Sequence, residues 1–249
     1  RAAFGDHLID ELGPVEATQG LSAFLSGQTR RLRGMVAAMN TNYRMAGRDY
    51  LVIDLEATCD DAGLVPKREM EIIEIGAVLV DHTNFEPIDE FQSFVRPVRH
   101  PELTPFCRQL TSITQAEVDA APKFPEVLAS VREFMAGRPS LFCSWGEYDR
   151  RQFETDAGYH RVKLSFGADH LNIKQAFSDA LGTSKRFGMA GALRQLGIEL
   201  SGTHHRGIDD ARNIAKILPF AVGARPIAES LTRSQTRDDA RSYRPRSGR

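Results

Sequence analysis

The chain has 249 residues, 41% of them hydrophobic, and a formal net charge of −1 at pH 7. That length holds one good-sized domain with extensions, and the near balance of charge excludes a uniform field for polyanions, so any nucleic-acid site is a local patch. Three cysteines without a CxxC spacing suit a reducing compartment, the cytoplasm, better than a disulfide framework, and no run of about 18 apolar residues marks a membrane span.

Residues 1–48 read as an N-terminal helical extension. Leu21, Phe24, Leu25, Leu32, Met35, Val36 and Met39 recur near helical spacing. Gly20, Gly27 and Gly34 interrupt that stripe, each at a cost of up to about 1 kcal/mol against alanine. Residues 17–42 carry no acid, while Arg30, Arg31 and Arg33 cluster. A targeting helix, a basic RNA-contacting arm and a packing appendage all fit. The first residue is an arginine, which points to a processed or partial chain.

A compact domain spans residues 49–223. It opens on Tyr50-Leu51-Val52-Ile53-Asp54-Leu55-Glu56-Ala57-Thr58-Cys59. A continuous apolar run marks a strand covered on both sides, hence a central one. The strand period of two points Asp54 and Glu56 to one face. Two anions leaving a buried strand together repel each other and are desolvated. They need a cation, for which a divalent metal is the natural candidate, or they reach solvent past the strand end. A turn at Asp60-Asp61-Ala62-Gly63 leads to a second strand over residues 71–80 and a third over 91–95, closed by Arg96-Pro97. No helical pattern separates these strands, so an antiparallel meander is expected.

Phe124-Pro125 starts a helix whose core stripe is Val127, Leu128, Val131, Phe134 and Met135, ended by Gly137 and Pro139. A fourth strand at 141–146 runs into Glu147-Tyr148-Asp149 and a short helix from Arg150. A fifth at 170–173 feeds a helix through Phe177 and Leu181. Two more helices cover 189–196 and 209–222. Strands first, then helix–strand alternation, give an α/β fold: a mixed sheet of about five strands flanked by helices. Residues 224–249 form a basic, disordered tail; from 225 on there are seven arginines against three acids, 7 − 3 = +4.

Asp149 follows a strand and precedes a helix, at the carboxyl end of the sheet, where open α/β folds place their sites. Capping that helix is the alternative role. In Thr203-His204-His205-Arg206-Gly207-Ile208-Asp209-Asp210, the following Ile214, Ile217 and Leu218 put Asp210 on the inward face. Asp209 shares the outward face with Arg212, Asn213 and Lys216. An inward aspartate is costly unless paired, hydrogen-bonded or metal-bound, so Asp210 is the better ligand. His205, five residues upstream, reaches the same place as a base or packs as a buried structural histidine.

Together these residues resemble the DEDDh 3'-5' exonucleases of the ribonuclease-H-like superfamily, closest to the Eri-type exoribonuclease branch. The resemblance runs from about residue 49 to 220 and rests on Asp54-Leu55-Glu56-Ala57-Thr58-Cys59, Glu71-Ile72-Ile73-Glu74-Ile75-Gly76, Phe94-Val95-Arg96-Pro97, Ser144-Trp145-Gly146 and Gly207-Ile208-Asp209-Asp210. It implies a ribonuclease-H-like fold. It also implies four metal-binding carboxylates, Asp54, Glu56, Asp149 and Asp210, with His205 as general base. Two Mg2+ or Mn2+ ions suit an oxygen-only ligand set. The partner it implies is a single-stranded RNA 3' end, and the product a nucleoside 5'-monophosphate. Ala57, Thr58, Cys59, Leu110, Thr111, Ile113 and Trp145 then stand where a terminal nucleotide binds, and Arg206 where a phosphate is met. Ser112 departs from the family, which usually has glycine there. A DNA-directed exonuclease and a non-catalytic nucleic-acid-binding module are the alternatives.

Overall fold

The computed structural model describes residues 47–135, 137–164 and 169–228. The expected N-terminal extension and basic tail lie outside these residues except at their inner ends. One five-stranded sheet carries the domain, with strand order β3-β2-β1-β4-β5. β1 (Asp49–Ala57), β2 (Ile72–Val80) and β3 (Pro87–Phe94) form the antiparallel meander. β4 (Ser140–Ser144) and β5 (His170–Asn172) extend the sheet in parallel on the far side of β1. Seven α-helices complete the described residues, and none is long and apolar enough to cross a membrane.

The apolar run makes β1 central and covered on both faces, as its composition requires. Leu51, Ile53 and Leu55 join a core with Phe124, Val127, Leu128 and Val131 of α3 (Phe124–Phe134) and Phe153 and Ala157 of α4 (Tyr148–His160). The alternate residues Val52, Asp54 and Glu56 therefore face the other way. There α7 (Gly207–Ala221) lies along β1 and β2. Strand periodicity thus sends the two acids to the helix that carries Asp210.

Four elements differ from the sequence expectation. Two short helices, α1 (Pro105–Thr111) and α2 (Gln115–Ala120), occupy a stretch without apolar periodicity. Fewer than two turns long, they are set by their caps instead. Thr104 Oγ1 accepts from the Cys107 N–H at 3.0 Å. Thr114 and Glu117 form a reciprocal capping box, the Thr114 N–H donating to Glu117 Oε2 at 2.7 Å. They cover a small satellite core of Ile73, Leu103, Cys107, Ile113 and Val118. The helix after β4 starts at Tyr148 and runs 13 residues. Its buried positions include the polar Asp149, Gln152 and Asp156, which hide its helical period. β3 begins at Pro87, earlier than expected, as an edge strand with half its residues exposed, none buried, and proline at its first residue. The remaining helices, α5 (Ile173–Leu181) and α6 (Met189–Leu196), fall where the periodicity puts them.

Candidate functional site

Carboxylates converge where β1 outruns its parallel neighbour. β4 pairs with β1 only from Asp49 to Val52, so the Leu55 N–H has no strand to donate to on that side. A buried, unpaired N–H is costly. Asp149, in the first turn of α4, takes it: Oδ1 accepts from Leu55 N at 3.1 Å. The same bond that completes the backbone of β1 fixes Asp149 beside Asp54 and Glu56. Asp149 is not the cap of its helix, since Glu147 holds that position.

From the other side, α7 brings Asp210. Oxygens of Asp54, Glu56 and Asp210 lie within 4.8 Å of one another. Asp210 is buried, while Asp209 turns to the preceding loop, where it accepts from Thr203 N at 2.9 Å and Arg212 Nη1 at 3.0 Å. Burial pushes the Asp54 carboxyl well up, and the neighbouring Asp149, Glu56 and Asp210 push it further. Glu56 is raised to about 8 by burial and by Asp210, Glu74 and Asp149. Burial raises Asp149 to about 6, against the pull of hydrogen bonds from Leu55 N–H, its own N–H and the Ser144 hydroxyl. Burial is the first cause in each, and for Asp54 and Glu56 the neighbouring acids add to it. Among the described residues no arginine or lysine pairs with Asp54, Glu56, Asp149 or Asp210. The oxygens of these four carboxylates suit hard divalent cations, and His204 and His205 bring ring nitrogens to within 4.8 Å of Asp210.

Both histidines of the 203–206 loop reach Asp210, in different ways. His205 has a left-handed backbone (φ 64°) and donates its N–H to Asp210 Oδ2 at 3.1 Å. His204 places Nδ1 2.9 Å from the same oxygen. The two imidazoles stack with centroids 4.1 Å apart. Burial lowers the His205 pKa, His204 adds to this, and Asp210 opposes it. A lowered pKa favours the neutral imidazole, the form that can accept a proton.

The remaining candidates divide by exposure. Cys59 is half-buried and Leu110 exposed, near the end of α1. Ala57 is buried. Thr58 is buried too, its hydroxyl accepting from Glu71 N at 2.9 Å. Thr111 and Ile113 are fully buried, Thr111 Oγ1 donating to Cys107 O at 2.8 Å. Between them Ser112 takes a left-handed conformation, φ 60°, which is why glycine suits that position. Trp145 donates its indole N–H to Phe187 O at 3.2 Å and lies against Phe177. Arg206 turns to the buried Glu74, with Nε 3.1 Å from Oε2, and lies over the Phe94 ring.

Sequence reasoning missed Tyr148, Glu74 and the pair Ser144–His170. Tyr148 is half-exposed beside Asp149, its phenol raised by burial and by the charges of Asp149 and Glu56. An exposed aromatic next to a candidate ligand was its signal. Ser144 Oγ stands 2.9 Å from His170 Nε2 behind Asp149. Nothing local to the sequence joins residues 26 positions apart.

Comparison with known proteins follows the same lines. An exonuclease family model, RNase_T, matches residues 51–218. Human ERI1 exoribonuclease 3 is 33% identical over 232 residues, covering 88% of this chain and 66% of the relative. Human 3'-5' exoribonuclease 1 is 34% identical over 188 residues, covering 71% of this chain and 53% of the relative. The chain thus spans one-half to two-thirds of the length of these relatives. Among solved structures, the nuclease domain of 3'hExo, a DEDDh family member bound to rAMP, superposes with a TM-score of 0.63 at 31% identity. That match covers 70% of this chain and 91% of the domain.

Proposed function

Because the chain belongs to the RNase_T exonuclease family, on its Eri-type branch, we propose that it is a metal-dependent 3'-5' exoribonuclease. It removes nucleoside 5'-monophosphates from single-stranded RNA 3' ends. The observation that carries this reading is the convergence of Asp54, Glu56 and Asp210, with Asp149 alongside and no arginine or lysine paired to them among the described residues. The rAMP bound by the related 3'hExo domain is the kind of product the reading expects.

Asp54, Glu56, Asp149 and Asp210 would hold two divalent cations, Mg2+ or Mn2+. Bound there, the ions would supply charge neutralisation and Lewis acidity for phosphodiester hydrolysis. The chain's own part is positional and protonic. Asp149 is fixed to β1 by Leu55 N–H, and Asp210 is held by the His205 N–H, so the carboxylates present one preorganised face. His205, as the neutral imidazole, takes the proton of the attacking water. Cys59, Leu110 and Tyr148 offer accessible surface for the terminal nucleoside, whose base needs an apolar or stacking partner. Three free thiols among the described residues suit a reducing compartment, and the cytoplasm is the proposed location.

End-labelled single-stranded RNA and DNA of one sequence, incubated with Mg2+, Mn2+ or EDTA, test this reading. Stepwise shortening of RNA from its 3' end with either metal, and none in EDTA, is the expected result. Preference for the DNA strand would replace the substrate assignment. Absence of shortening on both strands would overturn the enzyme reading.

A further inference from the structure

Glu74 is a fully buried acid near the start of β2, opposite Glu56 in the strand register. A lone carboxylate in such a place is costly unless its oxygens are engaged. Here they accept from Gln92 Nε2 at 3.1 Å, Arg206 Nε at 3.1 Å, Arg206 Nη2 at 3.4 Å and Gly207 N at 3.0 Å. The last of these is informative. Gly207 is the first residue of α7, and the residue before it, Arg206, makes no side-chain cap. The open N–H of the helix is met instead by an anion from another strand, at the positive end of the helix.

The contact is also close. A Cβ on Gly207 would stand 3.0 Å from Asp54 O and 3.4 Å from Glu74 Cγ. The start of α7 therefore rests directly on the two strands that carry Glu74 and Asp54. His205 lies two residues before Gly207 and Asp210 three residues after it, so any displacement of this turn moves both. Glu74 is near enough to Asp54 and Glu56 to raise both carboxyls. Its own oxygens, however, are taken, and it is not in the group of oxygens around Asp54, Glu56 and Asp210.

We propose that Glu74 is a positioning residue of this site: paired with Arg206, it docks the first turn of α7 so that Asp210 and His205 meet the acids of β1, and it keeps the Arg206 charge away from the space a metal would fill. The proposal rests on the metal-dependent exonuclease reading and assigns Arg206 to the scaffold rather than to a phosphate.

Glu74→Gln, Arg206→Met and the double variant test it. Three quantities are compared with the unaltered chain: calorimetric Mn2+ binding, turnover at saturating RNA, and melting temperature. Glu74→Gln keeps shape and an acceptor oxygen but drops the charge. It is expected to weaken both Mn2+ binding and turnover roughly 10- to 100-fold, the usual effect of losing a partner behind a metal ligand. Arg206→Met leaves the anion in place and is expected to lower turnover without weakening Mn2+ binding. The double variant should fall no further than Glu74→Gln alone, because both changes act through one contact. Folded variants with the original turnover and Mn2+ affinity would overturn the proposal. So would a loss of turnover that merely follows the folded fraction. Should Glu74→Gln fail to fold, Arg206→Met decides by the same turnover reading. If the unaltered chain bound Mn2+ but shortened no RNA, the exonuclease reading would fail, and the Mn2+ titrations would still judge the role of Glu74.

Discussion

Glu71 and Asp156 are buried as deeply as Glu56 and Asp210, yet the protein treats the two groups in opposite ways. In each case ligand-type atoms converge within 4.8 Å, with His160 completing the first group and Asp54 the second. Glu71 accepts three successive backbone N–H groups, from Val98, Arg99 and His100, at 2.9, 2.7 and 2.9 Å. The Arg99 guanidinium lies 3.8 Å from Glu71 and 3.7 Å from Asp156, stacked on Tyr159. Asp156 also accepts from Ile72 N at 3.3 Å and Gln152 Nε2 at 2.8 Å. The group is complete in itself. The Asp54 group has no such internal cation among the described residues: burial first and the neighbouring acids next push Asp54 well up and Glu56 to about 8, whereas Asp156, buried but facing Arg99, rises only to about 6. Proximity of acids does not mark a site; a counter-charge that the chain leaves out does.

The largest expected effect sets the two groups furthest apart. Asp54→Asn should reduce RNA shortening to background and abolish calorimetric Mn2+ binding, whereas its melting temperature in EDTA should rise, because a repelled carboxylate is gone. His205→Ala should lower turnover by about 10²- to 10⁴-fold, the range of a lost general base, with Mn2+ binding retained. Full activity in that variant would remove His205 from the mechanism. Glu71→Ala should do the reverse of Asp54→Asn: it leaves the Val98, Arg99 and His100 N–H groups without their acceptor and takes one of two acids from the Arg99 guanidinium, and should destabilise the fold by about 3–5 kcal/mol in chemical denaturation. A negligible change there would erase the contrast between the groups.

A pH titration separates them further. Glu56 titrates near 8 in the folded chain against an ordinary 4.5. Between those values the folded chain holds a proton that the unfolded chain has lost, so rising pH favours unfolding. In EDTA the melting temperature should fall from pH 5 to pH 8, and saturating Mn2+ should flatten that slope. A flat profile in EDTA would mean the acids are not in conflict. The smallest effect concerns backbone rather than charge. Ser112→Gly removes a side chain from a left-handed position and should stabilise the chain by about 1 kcal/mol, read as a small rise in denaturation midpoint.

What the sequence made legible follows from how local each cause is. Asp54 and Glu56 share a face because strands have period two, and Asp210 points inward because Ile214 and Ile217 do. Both facts lie within a few residues. The meander was legible because its strands are adjacent in sequence. Helices α1 and α2 escaped because caps, not stripes, define them, although the Thr114-x-x-Glu117 box was in plain view. The length of α4 escaped because its buried face carries Asp149, Gln152 and Asp156, whose partners sit on β1, the segment before β2, and β2 itself. Glu74 could be suspected as an acid inside an apolar strand, but its partner Arg206 is 132 residues away. That both His204 and His205 meet Asp210 follows from the backbone of their loop, left-handed at His205, and no spacing rule supplies it.

Gly76 pairs with Asp54 across the β1–β2 ladder. A methyl group there would overlap the Gly207 carbonyl and the Ile208 nitrogen, so even alanine acts as a shim between sheet and helix. It alters no charge, no ligand and no hydrogen-bonding group, only the gap. Alanine at Gly76 is thus a spacer gauge for the molecule: how far activity falls for a given lift of α7 reads out the mechanical tolerance of the chemistry, free of any change in its reagents.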